Sequence, residues 1–273
     1  MYKYFLLLFV GIVQKTAAQE LFVFTDPASG LAARSLNLKL SDHYMPYDRV
    51  YSRPAHRLML DAEVGISRKL TAMAGVSVSN MHTYQVKQEA LFVEAKYRCL
   101  SLDEVHRHFR MAAFVQASHT KAPFHYDETN LTGDKSGVRL GMIATKLWNR
   151  FALSGTLSHT QVLDSSRFNE TVYIPRRIYQ TLNYSLSGGY LVLPRRYTSY
   201  RQVNVNLYGE LLAQQALDHK SYYVDAAPAL QFIFFSNTKL NVGYRFKLAG
   251  NAQRMSNVSW LFSIERSFLN VWK

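Results

Sequence analysis

Apolar and polar residues alternate along most of this chain with a period of two. The last stretch shows the pattern plainly. Between Met255 and Phe268, Val258, Trp260, Phe262 and Ile264 alternate with Asn257, Ser259, Ser263 and Glu265. Successive side chains of a strand point to opposite faces, so this spacing predicts a strand with one apolar and one polar face. The same pattern predicts strands over 32–41, 57–66, 70–79, 88–99, 109–118, 137–147, 151–160, 178–193, 201–213, 221–234 and 239–248. In the second of these, Leu58, Leu60, Ala62, Val64 and Ile66 oppose Met59, Asp61, Glu63 and Gly65. Two positions disturb the pattern. Gly188-Gly189 predicts a bulge, and Pro228, which cannot donate to a ladder, predicts another.

Twelve strands is an even number, and the connections alternate in length. Tight turns fall at 67–69, 148–150 and 235–238, in even places. Long loops fall at 42–56, 119–136 and 161–177, in odd places. Such parity is the mark of a membrane barrel with tight turns at one rim and long loops at the other. The apolar faces carry no Lys, Arg, Asp or Glu, whereas the opposite faces are polar. A sheet in lipid must satisfy every backbone group internally, so it must close. The fold class expected is therefore all-β: a closed antiparallel transmembrane β-barrel of about twelve strands, with short periplasmic turns and longer extracellular loops.

The first residues modify this picture. Lys3, the apolar run from Tyr4 to Val13, and the small residues Thr16-Ala17-Ala18 read as a cleaved signal peptide over 1–18. That run is too short to span a bilayer as a helix. Residues 19–31, with a turn-forming Asp-Pro-Ala-Ser-Gly, are expected as a periplasmic N-terminal segment before the barrel, which then occupies 32–273.

Composition adds two points. The 18 Tyr and 16 Phe suit interfacial girdles. Trp148, Phe151, Tyr197, Tyr200 and Phe235 fall at the predicted periplasmic turns, and Tyr173, Tyr179 and Tyr222 toward the outer rim. The formal charge of +13, about +11 without Lys3 and Lys15, points to lipopolysaccharide and small anionic solutes as partners. Nucleic acid is set aside, since no basic cluster lies on a helix. The single cysteine, Cys99, allows no internal disulfide and reads as a small apolar residue. A monomer is the default.

The leader ending Thr16-Ala17-Ala18-Gln19, the alternating strands and the closing Val-Ser-Trp-Leu-Phe-Ser-Ile-Glu-Arg-Ser-Phe together resemble the small outer-membrane β-barrel proteins of Bacteroidota. The resemblance covers the whole chain but is architectural. It implies a bacterial outer-membrane location and names no solute. Five residues, Leu269 to Lys273, follow Phe268, so Trp272 is an alternative last interfacial aromatic.

Candidate chemistry lies on the polar faces. Asp61, Glu63, Glu94, Lys96, Arg98, Arg110, Arg139, Glu210, Asp225, Arg245, Lys247 and Glu265 are expected to line the lumen. Charges of both signs there should pair across strands, with Glu94–Arg110 and Glu265–Arg245 or Glu265–Lys247 as candidates. They predict either a polar pore lining or an interior salt-bridge network. An outer-membrane hydrolase is the enzymatic alternative. Phospholipase-type barrels resemble the chain in strand count and need His-x-Ser on one strand face. Here only His219-Lys220-Ser221 fits, at a loop edge, with Ile233 where a partner would stand. No enzyme is therefore expected. His119, His125, Asp127 and Glu128 share a long loop, but their spacing fits no closed metal site and they read as solvated. No cofactor is expected. The expected function is a passive channel or transport-related barrel for small polar or anionic solutes. The alternative is a non-conducting barrel that acts through its loops.

Overall fold

A computed structural model describes residues 22–46, 53–81, 85–105, 107–120, 126–163, 178–195, 199 and 202–272. The signal peptide and residues 19–21 lie outside the described residues, as do His106, His125, Tyr173, Tyr197 and Tyr200.

Twelve strands follow one another: β1 (Ser35–Met45), β2 (Ala55–Gly65), β3 (Leu70–Ser79), β4 (Lys87–Glu104), β5 (Arg107–Thr120), β6 (Gly137–Trp148), β7 (Phe151–Val162), β8 (Gln180–Leu193), β9 (Asn204–Ala216), β10 (Tyr222–Phe234), β11 (Thr238–Gly250) and β12 (Val258–Phe268). Each pairs antiparallel with its neighbours, and β12 pairs with β1 to close the barrel. Leu40 thus lies between Leu60 of β2 and Ile264 of β12. Closure leaves no free sheet edge, which is what lipid demands.

Alternation sorts the side chains. Leu38, Leu40, Leu58, Leu60, Leu91, Val93, Leu140, Met142, Leu207, Leu211, Phe262 and Ile264 lie exposed on the outside. Asn37, Ser41, Asp61, Glu63, Gln116, Glu210, Gln231, Asn241 and Glu265 are buried on the inside. The polar core and apolar exterior invert the arrangement of a soluble protein and match the lipid-facing logic of a barrel.

Five connections gather at one end with both ends of the barrel, and six at the other. The first set includes 149–150, where Asn149 takes φ 47, and 235–237, where Phe235 and Ser236 take φ 51 and 59. These left-handed residues let adjacent strands reverse in a tight hairpin. This rim is called the turn end below. The loop end carries the connections 46–54, 80–86, 121–136, 163–179, 217–221 and 251–257. Trp148 and Phe151 stack at 5.9 Å at the turn end.

Three local expectations change. β1 begins at Ser35, not residue 32, because residues 22–34 take another path. Gly188 and Gly189 hold the register without a bulge; the irregularity lies at Leu191–Leu193. Gly189 instead leaves room for the Tyr208 ring, which a Cβ there would strike. Pro228 pairs with Gly209 of β9, and β11 has no register partner for Ala227 or Pro228. The register resumes unshifted, and the bulge sits earlier, at Val224/Asp225.

Candidate functional site in the lumen

Two different pieces of chain fold into the lumen and narrow it. From the turn end, residues 22–34 fold up into the barrel. The N–H groups of Val23 and Phe24 both donate to Glu210 Oε1 at 2.9 Å. The Thr25 hydroxyl donates to Glu210 Oε2 at 2.6 Å, and Ser187 adds a bond of 3.1 Å to the same oxygen. A carboxylate that accepts four donors at once is a strong anchor for an extended segment. Phe22 and Val23 pack with Ala152, Tyr208, Ala229 and Leu261 in the largest apolar cluster. Phe24 lies over Gly243, where a Cβ would collide with its ring. Ala28 donates its N–H to Thr145 Oγ1 at 2.9 Å. This end of the chain, expected ahead of the barrel, therefore lies within it.

From the loop end, residues 126–136 between β5 and β6 fold inward. Asp127 Oδ2 accepts from the Ser221 hydroxyl at 2.9 Å and from the Gln253 N–H at 3.0 Å. Thr129 reaches Gln214 and Thr181. Glu128 meets Arg245 at 3.1 Å and Arg254 at 3.2 Å, and both arginines also bind Asp225, at 2.6 and 2.7 Å. Both guanidinium groups lie over the Tyr223 ring, at 5.3 and 4.2 Å. Three strands round the wall, on β2, Arg57 is 3 % exposed and bridges Glu89 at 2.7 Å and Asp134 of the loop. The loop is thus clamped ionically at two places. Burial alone would raise the Glu128 carboxyl, but Arg254 and Arg245 outweigh it and hold the group below its ordinary value. Asp127 and Glu128 are accordingly not the solvated residues their spacing suggested.

Between the two closures remains a cavity of about 320 Å3. Its lining includes the carboxylates of Asp26, Asp61, Glu63, Glu94 and Glu128 and the cations Lys39, Arg139 and Arg245. The chain is strongly basic, yet this chamber is acid-rich. The positive excess therefore lies elsewhere on the molecule.

Of the twelve residues predicted to line the lumen, Asp61, Glu63, Glu94, Arg139 and Arg245 border the chamber. Glu210 and Asp225 are buried in the closures just described, and Glu265 and Lys96 are buried in strand-to-strand pairs. Arg98 and Arg110 sit at the turn-end rim. Arg98 donates to the Arg68 carbonyl, and Arg110 meets Asp103 at 3.0 Å. Lys247 is half-buried toward the loop end, in register with Asp225. The expected pairings change accordingly. Glu94 lies opposite Gln116, while Arg110 pairs six residues away with Ser101. Glu265 meets Lys239 at 3.3 Å and Lys39 at 3.8 Å, because those two lysines flank it in register.

Sequence reasoning missed Arg57, Glu89, Asp134 and Arg254, and read Glu128 as solvated. Arg57 shares the parity of Met59 and Asp61 and was readable. The loop residues carry no periodic signal. Ser221, the serine of the one His-x-Ser, donates to Asp127, and His219 lies exposed in the neighbouring turn. Among the described residues no group of three or more His, Cys, Asp or Glu is placed to hold a metal ion. Cys99 is exposed beside the β4 bulge, and its thiol points to the Met111 carbonyl at 3.3 Å.

An outer membrane channel from Pseudomonas putida F1 is similar over 90% of this chain and 100% of its own, at 14% identity and a TM-score of 0.59. The NanC porin aligns over 85% of this chain and 98% of its own, at 14% identity and a TM-score of 0.48. The β domain of the Bordetella autotransporter Brka aligns over 86% and 98%, at 11% identity and 0.46. At these identities the first likeness establishes the fold, that of a bacterial outer-membrane barrel, and the other two carry no argument. No family model and no curated protein matches the chain.

Proposed function

We propose that this protein is an outer-membrane channel for small polar solutes, held closed by its own N-terminal segment. In this reading the turn end faces the periplasm, the loop end faces outward, and residues 1–18 are the cleaved leader. The observation that carries it is the polar chamber of about 320 Å3 between two closures. A barrel built only for rigidity has no use for such a space, and the donors and acceptors around it suit a hydrated solute. The N-terminal segment is the movable closure, because its polar anchors converge largely on Glu210. No chemical step is assigned to the lumen.

Single-channel recording of the refolded full chain in a planar bilayer tests this. The parent protein is expected to conduct in rare, brief openings. Glu210→Ala removes the acceptor of three bonds to residues 23–25 and is expected to raise the open time at least about ten-fold, as loss of a charge-assisted anchor predicts. Folded, heat-modifiable protein that conducts in neither form overturns the channel. A second reading, a non-conducting barrel acting through its outer loops, would then stand. The ionic clamp on residues 126–136 favours that reading, since it fixes the outer face.

A further inference from the structure

We infer that the central chamber is a binding site for a small amphoteric solute of net positive charge, with the chemistry of a basic amino acid. The inference deepens the channel reading and rests on it for the solute's passage, although binding itself does not require passage.

One row of the barrel wall borders the chamber. Glu94, Gln116 and Arg139 lie side by side on β4, β5 and β6, in direct register, and all three border the cavity. Gln116 is 2 % exposed, and its Oε1 has no hydrogen-bond partner among the described residues. A buried acceptor left in this state is costly unless something donates to it. Next to it, Arg139 lies over the Phe114 ring at 5.4 Å, and its Nε is likewise buried without a partner. One wall therefore holds an unanswered acceptor and an unanswered donor beside the same space.

The charge around this row decides the ligand's sign. Glu94 faces the carboxylates of Asp26 and Asp61 and the cations Arg139 and Lys96. Lys96 is bridged to Glu63 at 3.7 Å. Asp26, carried in by the N-terminal segment, and Asp61 both border the chamber. An ammonium group is complementary to Gln116 Oε1 and the neighbouring carboxylates. A carboxylate is complementary to Arg139, which binds planar anions well. Glu63 and Glu128 are answered by Lys96, Arg245 and Arg254, while Asp26, Asp61 and Glu94 gather around Arg139, so a ligand with more ammonium than carboxylate matches the row best. A basic amino acid has that balance and a size that the cavity accommodates.

Calorimetric titration of four probes into the full chain, folded in detergent micelles, tests the inference. L-lysine carries both features. L-norleucine lacks the side-chain ammonium, cadaverine lacks the carboxylate, and L-glutamate reverses the net charge. L-lysine is expected to bind about ten-fold more tightly than norleucine or cadaverine, as one charge-assisted contact predicts, and glutamate is expected to give no heat. Gln116→Met and Arg139→Met should each weaken L-lysine by about the same factor. Should a variant fail to fold, the ranking of probes on the parent chain decides alone. Norleucine, cadaverine or glutamate binding as tightly as lysine overturns the inference, as does folded protein that binds no lysine. Conductance without lysine binding would leave the channel and remove this site. Lysine binding without conductance in the parent or Glu210→Ala would keep this site and remove the channel.

Discussion

The two closures of the lumen differ in how the chain holds them. Residues 22–34 enter as a tail leading into β1. Their polar anchors are hydrogen bonds, three of them to the single carboxylate of Glu210. Residues 126–136 enter as a loop, joined to β5 and β6, and are gripped at two places by the buried or half-buried arginines Arg57, Arg245 and Arg254. A tail can withdraw when one acceptor is lost. A loop tied covalently at both ends and ionically at two places cannot do so without parting buried ion pairs. Under the proposed function, the difference makes the turn-end segment the movable part and the loop end the fixed constriction.

The sharpest way to break this comparison is to attack the fixed part. Arg57→Ala leaves Glu89 and Asp134 buried without their guanidinium, a loss of about 3 to 5 kcal/mol. Urea titration of the barrel in micelles should show that drop, while the tail's response to Glu210→Ala stays unchanged. An equal effect on both closures would mean that they are one coupled unit.

Next in size is Gly243→Ala. Its new methyl meets the Phe24 ring, so the tail must shift although Glu210 is intact. Bilayer recordings should show longer openings than in the parent, and shorter ones than in Glu210→Ala. If Gly243→Ala leaves gating unaltered, the apolar packing of the tail is irrelevant to closure.

Acid separates the two closures more gently. Glu128 in the folded protein titrates below its ordinary 4.5. Its stabilising contribution is therefore whole above that value and is lost as pH falls below it. A thiol reagent applied to Thr132→Cys in a Cys99→Ser background should label slowly at neutral pH and faster only below about pH 4.5. Onset of labelling near neutrality would contradict the Arg245–Glu128–Arg254 clamp.

The smallest effect is expected from Thr25→Val. It deletes one of the four donors to Glu210 at a cost of about 1 kcal/mol, and open time should rise only a few-fold. A change as large as that of Glu210→Ala would place the whole anchor on the threonine.

The sheet was legible because lipid imposes a strict rule on each strand. A one-residue error would turn Leu58, Leu60 and Val64 inward, so period two had to persist from β1 to β12. The same rule placed Asp61, Glu94, Glu210 and Glu265 inside. Where the rule lapses, the reading lapsed with it. Glu128, Asp134 and Arg254 lie in connections with no periodic pattern, and their burial comes from a loop folding back. Residues 22–34 looked like an ordinary leader-proximal segment, since nothing local distinguishes a tail outside a barrel from one inside. The pairs Glu94–Arg110 and Glu265–Arg245 failed because register depends on hairpin lengths and bulges, such as that between Arg98 and Leu100, which composition does not reveal.

The seam between β1 and β12 has a consequence for biogenesis. The tail leads directly into β1, and β1 is half of that seam. A cylinder that zips shut last along this line can take the tail in sideways while the sheet is still an open trough. Threading it afterwards through the finished ring would strip polar backbone of its water. The loop between β5 and β6 is on the far side of the trough and can be seated at the same stage. Lateral closure thus loads the lumen and completes the wall in one motion, and a chain whose last strand docks too early would trap its tail outside.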